Sequence, residues 1–235
     1  TSTGMNIDTP STTGADSGTI TLNTTNQQLE LTANAANLWT AREGAPIAWV
    51  TSPSALLGQT WYVETFVSMT DDPSGQQAGY DQAGITFYGG PDGANPGDND
   101  SAALILNDWN NWAVQQANFS VGGAANQSNG AIAGTTTGVF LRSEITEGGV
   151  TDTYNFFYKE NAGDAWTQLT GIAEDRPGSF DNSRVGLVLK SHNNNANGAA
   201  QFDYFTVGTV DAIPEPSTSL LVGLAGLALT IRRRK

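Results

Sequence analysis

From Thr60 to Met69 ten residues alternate without a break. Trp61, Val63, Thr65, Val67 and Met69 fall on one side of an extended chain, and Tyr62, Glu64, Phe66 and Ser68 on the other. Side chains of a β-strand alternate with period two, so this run reads as a strand with one apolar face to bury. Similar runs follow along the chain: Thr19 to Asn23, Gln28 to Thr32, Ile47 to Thr51, Gln82 to Tyr88, Ala102 to Asn107, Trp112 to Val121, Gly138 to Ile145, Thr153 to Lys159, Ala165 to Leu169, Arg184 to Ser191 and Gln201 to Val207. Turn formers divide them, among them Asp71-Asp72-Pro73-Ser74-Gly75, Gly89-Gly90-Pro91-Asp92-Gly93, Glu147-Gly148-Gly149 and Asn193-Asn194-Asn195. Roughly a dozen strands and no long amphipathic helix predict an all-β chain. Each apolar face needs a second layer to cover it. A two-sheet antiparallel sandwich is therefore expected, with a closed barrel as the alternative.

Composition narrows the chemistry. The 235 residues suffice for one domain of about 200 residues with a sizeable core. Twenty-seven glycines and only 14% charged residues suit strands and turns rather than a helical bundle. The absence of cysteine excludes disulfides, cysteine-ligated zinc, iron–sulfur clusters and thiol nucleophiles. A single histidine, His192, excludes a histidine metal cage and leaves one imidazole for any Ser-His-Asp arrangement. It follows Ser191 in an Asn-rich stretch with no Gly-x-Ser-x-Gly elbow, so it reads as an exposed loop residue. The net charge is −13, and four of the ten basic side chains are Arg232, Arg233, Arg234 and Lys235 at the end. The rest of the chain is more acidic still. Such a field repels phosphate backbones, which excludes nucleic acid as a partner.

Three segments follow from the composition shifts. Residues 1–18 are rich in Ser, Thr and Gly and read as a flexible leader. Residues 19–210 form the sandwich, and residues 211–235 are a separate tail. The tail runs from Pro214-Glu215-Pro216-Ser217-Thr218 through an apolar stretch, Leu220 to Ile231, to the cationic end. Twelve residues make about 18 Å of helix, against a hydrocarbon core of ~30 Å, so this is a strained span. The cationic end favours the cytoplasmic side, which leaves the acidic body outside. In these residues the tail resembles the PEP-CTERM sorting signal of Gram-negative bacteria. The resemblance implies recognition by an exosortase, cleavage near Pro214-Glu215-Pro216, a transient inner-membrane anchor through the helix at 220–231, and delivery to the cell surface or the extracellular polysaccharide matrix. The apolar run is short for that family, which fits a transient handle better than a permanent anchor.

The body carries an ordered series of short segments: Gln77-Ala78-Gly79, Gln82 to Tyr88, Phe140-Leu141-Arg142, Tyr154 to Tyr158 followed by Trp166, Val185 to Leu189, and Phe202 to Val207. In this series it resembles the concanavalin A-like modules of family 43 β-xylosidases over about residues 28 to 208. The resemblance implies a jelly-roll sandwich and, in many members, carbohydrate recognition, although a fold does not dictate a function. Laminarinase-like glycosidases share the architecture, but their Glu-x-Asp-x-x-Glu pattern is absent here. Glu144 and Glu147 stand three apart on a strand and point to opposite faces, so they do not form the catalytic pair that a retaining mechanism uses.

Sugar binding combines an aromatic face with hydrogen-bonding neighbours. The densest candidate is Asn107-Asp108-Trp109-Asn110-Asn111-Trp112. Trp112 opens an alternating strand and reads as core. Trp109 lies in the turn and is the expected platform, with Asn107, Asp108 and Asn110 as hydrogen-bonding partners. Trp61, Trp166, Phe87, Phe156 and Phe205 read as core. Alternation places Asp203 on the face of Phe205 and Val207, where a carboxylate must be paired or ligate a metal. Sandwiches of this resemblance often hold a structural calcium where first and last strands meet, which makes Asp203 the candidate ligand; pairing with Arg142 or an exposed strand end is the alternative. The oxygen-rich loop of Asp92, Asn95, Asp98, Asn99 and Asp100 lacks EF-hand order and reads as a solvated turn. Arg142 is expected to lie across a sheet surface and brace a carboxylate. Together these readings predict an exported, non-catalytic sandwich that binds polysaccharide, with a glycan hydrolase or a purely structural matrix protein as alternatives.

Overall fold

The computed structural model describes residues 5–8, 17–34, 46–53, 58–69, 81–88, 101–107, 113–120, 123–131, 138–148, 151–169, 174–177, 184–190 and 198–210. Every regular element among them is a β-strand, and all fifteen strands pair antiparallel in two sheets. Numbered in chain order, the seven-stranded sheet runs β1 (Asn6–Asp8), β4 (Ile47–Thr51), β14 (Arg184–Lys190), β6 (Gln82–Tyr88), β7 (Ser101–Asn107), β8 (Ala113–Ser120) and β9 (Gly123–Ala131). The second sheet runs β12 (Thr167–Gln168), β11 (Thr151–Lys159), β10 (Gly138–Thr146), β5 (Thr60–Met69), β15 (Gly198–Thr209), β3 (Gln28–Asn34) and β2 (Ser17–Asn23), with β13 (Glu174–Pro177) added on β11. The two sheets bury their facing sides against each other, which is the expected sandwich rather than a barrel. Among the described residues no helix is long and apolar enough to cross a membrane.

Strand β5 sits in the middle of its sheet, between β10 and β15. Its burial alternates as the sequence predicts: Trp61, Val63, Thr65, Val67 and Met69 are buried, and the residues between them are half-buried. Across the core lie Ala83, Ile85 and Phe87 of β6 and Leu104 and Leu106 of β7. Each large side chain removed from water here contributes about 1.5–3 kcal/mol. The one polar member of the β5 inner face, Thr65, is satisfied because its hydroxyl donates to the Tyr204 carbonyl at 2.5 Å.

Three expectations are corrected. Residues 6–8, assigned to a flexible leader, form β1 and pair with β4 in the register Ile7 to Ala48. An edge strand needs only backbone bonds, and Ile7 is 52% exposed, so no apolar pattern announced it. Trp166 is half-buried on the outer face of the eight-stranded sheet, held under two cations rather than packed in the core. Asp203 leaves the face that Phe205 and Val207 turn, half-buried, toward the core.

The cause is a β-bulge. Phe202 pairs with Val67, but the next pair is Tyr204 with Phe66, so Asp203 is the extra residue. The bulge reverses the parity of the strand. Asp203 therefore does not share the face of Phe205 and Val207; it is turned outward and exposed. Its carboxylate accepts a hydrogen bond from the Gln28 side-chain amide.

Candidate functional site

The side of the seven-stranded sheet turned away from the core is where a sandwich normally meets water. Here its middle is buried. On β6 the residues alternating with Ala83, Ile85 and Phe87 are Gln82 and Thr86, which are only 3% and 5% exposed, and Gln115 of β8 is 2% exposed. Buried amides are costly unless hydrogen-bonded, and Gln82 Nε2 donates to Gln115 Oε1 at 2.9 Å. The pair holds two amide groups in fixed orientation on an otherwise apolar sheet, beside Ala103 and Ile105, which are also fully buried.

At the other side of this face stands Trp49. Its register partner is Gly186, which is itself opposite Thr86, so the three form one row across β4, β14 and β6. A Cβ on Gly186 would lie 2.4 Å from the Ala48 carbonyl oxygen and 2.9 Å from the Trp49 Cβ, so only glycine admits this close approach. The Arg184 guanidinium lies 3.9 Å from the centroid of the Trp49 ring. The indole Nε1 of Trp49 is buried and has no hydrogen-bond partner in the structure. An aromatic ring, a guanidinium, an unanswered N–H donor and a fixed amide pair thus occur on one face. These are the elements that recognise a hydroxyl-rich ligand.

Of the residues that the sequence singles out for glycan contact, Asn107 ends β7, in register with Gln82 on one side and Ala113 on the other. It is thereby placed at the Gln82 end of this face. Asp108, Trp109 and Asn110 lie outside the described residues, as do His192, the Asp92 to Asp100 loop and the whole tail with Pro214, Glu215, Pro216, Arg232, Arg233 and Arg234. Sequence reasoning missed Trp49, Arg184 and the two glutamines. Gln82 and Gln115 carried a usable signal, since a glutamine within an alternating strand invites a search for its partner. The Trp49–Arg184 stack carried none, because its members are far apart in the chain.

The outer face of the eight-stranded sheet is built around Arg142. Its Nη2 lies 2.8 Å from Glu144 Oε1 and its Nη1 3.5 Å from Glu64 Oε2, so it braces two carboxylates rather than one. Its guanidinium stands 4.3 Å from the Tyr62 ring centroid and 5.9 Å from that of Trp166, and Lys159 covers the same tryptophan at 4.6 Å. Glu147, half-buried just past the end of β10, turns the other way, and its carboxylate accepts from Trp61 Nε1 at 2.9 Å. The opposite facing of Glu144 and Glu147 is as the sequence predicts.

Tyr204 donates its hydroxyl to Glu64 Oε1 at 2.7 Å. Burial first, then the hydrogen bond to Glu64 and the charges of Glu64 and Asp203, push the hydroxyl well above the usual tyrosine range. The folded state therefore holds this proton more tightly than the unfolded chain. The resulting stability is whole below pH ~10 and declines as the pH rises beyond it. Tyr204→Phe is expected to cost roughly 1 kcal/mol at neutral pH and to flatten the fall of the urea midpoint across the alkaline range. An unchanged alkaline slope in the variant would show that Tyr204 does not carry it.

Asp203 lies on the rim of a cavity of about 420 Å³ between the sheets. Asp203 is the residue expected to ligate calcium, and the side chain of Gln28 reaches its carboxylate. A calcium ion takes six to eight oxygens, and among the described residues no three His, Cys, Asp or Glu side chains gather around one point.

Residues 212–235 match the PEP-CTERM protein-sorting motif. No curated protein sequence matches the chain. The fold is similar to that of a GH43 glycoside hydrolase engineered to display both endo-xylanase and exo-arabinofuranosidase activity, with a TM-score of 0.59 and 13% identity over 86% of this chain and 37% of that one. It is also similar to xylan β-1,4-xylosidase from Bacillus halodurans C-125, with a TM-score of 0.55 and 15% identity over 76% of this chain and 32% of that one. A third likeness is the exoplasmic/lumenal domain of VIP36 in its Ca²⁺/Man3GlcNAc-bound form, with a TM-score of 0.53 and 10% identity over 92% of this chain and 88% of that one. The chain thus spans about a third of the length of the two hydrolases. At such identities these likenesses show the fold, a concanavalin A-like β-sandwich, and the terminal motif marks an exported protein processed at the membrane.

Proposed function

We propose that this is an exosortase-processed protein of the cell surface or extracellular matrix whose sandwich binds polysaccharide without cleaving it. The observation that carries the reading is the half-buried stack of Arg184 on Trp49 at the outer face of the seven-stranded sheet, held in place beside the buried Gln82–Gln115 amide pair. The half-buried Trp49 and Arg184 are the parts of this face that a sugar reaches, and the buried amide pair fixes the strands beneath them. Trp109, in the connection that follows Asn107, supplies the second ring. The Man3GlcNAc bound to the VIP36 domain supports carbohydrate as the ligand class for such a fold.

The non-catalytic part of the reading rests on the carboxylates. Glu64 and Glu144 flank one guanidinium, and Glu147 is committed to Trp61. Glycoside hydrolysis instead needs an acid and a base or nucleophile facing each other across the scissile bond. The test is retention on exopolysaccharide from the producing cells. Binding without release of reducing ends is expected, with Trp109→Ala lowering affinity roughly tenfold, about 1.4 kcal/mol. Reducing-end release that one carboxylate substitution abolishes would replace this reading with a hydrolase. Unchanged retention in Trp109→Ala and Trp49→Ala would leave a purely structural matrix protein.

A further inference from the structure

We infer that the open corner between the two sheets is a binding site for a small amphiphile with an apolar body and a cationic head. Elsewhere the inward faces close on each other, with Val63, Val67, Ile85 and Leu141 wholly buried. At this corner a gap remains between them. Leu29, Val50, Phe205 and Val207 are only partly buried, and they line the 420 Å³ cavity. Ile7 and Leu22, two of the three large hydrophobic residues exposed among those described, stand beside it at 52% and 38%. Leu22 is part of its lining, and Ile7 lies two residues from Met5, which also lines it. Exposed apolar surface of this kind, gathered around a concavity, marks an interaction site rather than scattered surface noise. The volume falls in the range of about 300–1,000 Å³ typical of small-molecule pockets.

The head group follows from the rim. The bulge in β15 turns Asp203 out of the strand alternation to the mouth of the cavity, and bulges commonly re-aim a side chain in this way. Gln28 donates to the Asp203 carboxylate and orients it. The turn that delivers Gln28 is itself held: Asn23 Oδ1 accepts from the backbone of Thr25 and Asn26, and Gln27 adopts a left-handed φ of 58° while contributing to the lining. None of the described lining residues is basic. A carboxylate set over apolar walls, in a chain of net charge −13, favours a cationic head and disfavours an anionic one. Among the described lining residues only Gln27, Asp203 and Tyr204 are polar, and the cavity is separate from the glycan face.

Isothermal titration of the full chain with n-decylammonium and with decanoate, both below their micelle concentrations, tests the inference. Decylammonium is expected to bind one to one and decanoate at least about tenfold more weakly. Asp203→Asn should lower the decylammonium affinity about tenfold and leave decanoate no weaker. Val207→Trp, which fills the cavity, should remove both. Absence of saturable decylammonium binding, affinity untouched by Asp203→Asn, or dimerisation through this corner in place of binding would overturn it. Asp203 is exposed, so the Asp203→Asn comparison decides the matter even where Val207→Trp does not fold.

Discussion

Trp61→Ala is expected to remove about 3–5 kcal/mol of folding free energy, a large part of the 5–15 kcal/mol a domain of this kind holds in total. Trp61 is wholly buried near the end of the central strand β5. Its ring meets Phe87 of the opposite sheet edge-on, with centroids 6.1 Å apart, and Phe87 in turn meets Tyr154 at 5.6 Å. Truncation leaves a void across which the sheets cannot close without moving both. It also strips a partner from Glu147, whose backbone is held at that point by bonds of 2.7 and 3.0 Å to Gly58 and Gln59. Urea denaturation checks this as a fall in midpoint at unchanged slope. Trp61→Phe, which keeps the ring contact but loses the bond to Glu147, should fall between the two. A loss below about 1 kcal/mol in Trp61→Ala would mean that the two sheets are not joined through this residue.

The second large effect concerns export rather than stability. Replacing Pro214, Glu215 and Pro216 together with alanine is expected to leave the protein folded but unprocessed in a host that carries exosortase. The terminal residues should then remain on the polypeptide recovered from cells, whereas the unaltered protein loses them. Intact mass of the cell-surface material reads the difference directly. The expectation has a physical side as well as the motif match at 212–235. A run of about 18 Å under a cationic end can hold a protein at a bilayer of ~30 Å only with thinning or tilt penalties. Such an anchor suits a substrate awaiting cleavage. Processing of the triple-alanine protein at the normal site would remove the sorting assignment.

Legibility differed from strand to strand for identifiable reasons. The bounds of β4, β5 and β6 follow from their apolar alternation and the turn formers beside them, and the structure reproduces them. Strand β9, with the sequence Gly-Ala-Ala-Asn-Gln-Ser-Asn-Gly-Ala, has no alternation to read; it is an edge strand defined by backbone pairing with β8. The parity change in β15 was visible in principle, since apolar residues at 202 and then at 205 and 207 cannot share one face of a regular strand. Taking 203, 205 and 207 as one face missed it. Trp166 reads as core in the sequence because tryptophan is usually buried, but Arg142 and Lys159 offer its ring a partner at the surface.

The candidate site divides along the same line. That the chain is all-β, that it forms a sandwich, and that its tail is a sorting signal were determined by local pattern: period-two alternation, turn chemistry, and a motif whose parts are contiguous. Local order suffices there because each feature is recognised within a few residues of itself. Which face carries buried amides, that Trp49 lies under Arg184, and that a cavity remains between the sheets beside Asp203 were decided only when strands remote in sequence came into register. Those properties depend on pair distances and on what covers each side chain, and hydrophobic burial is non-directional, so no alternation in one segment specifies its neighbour.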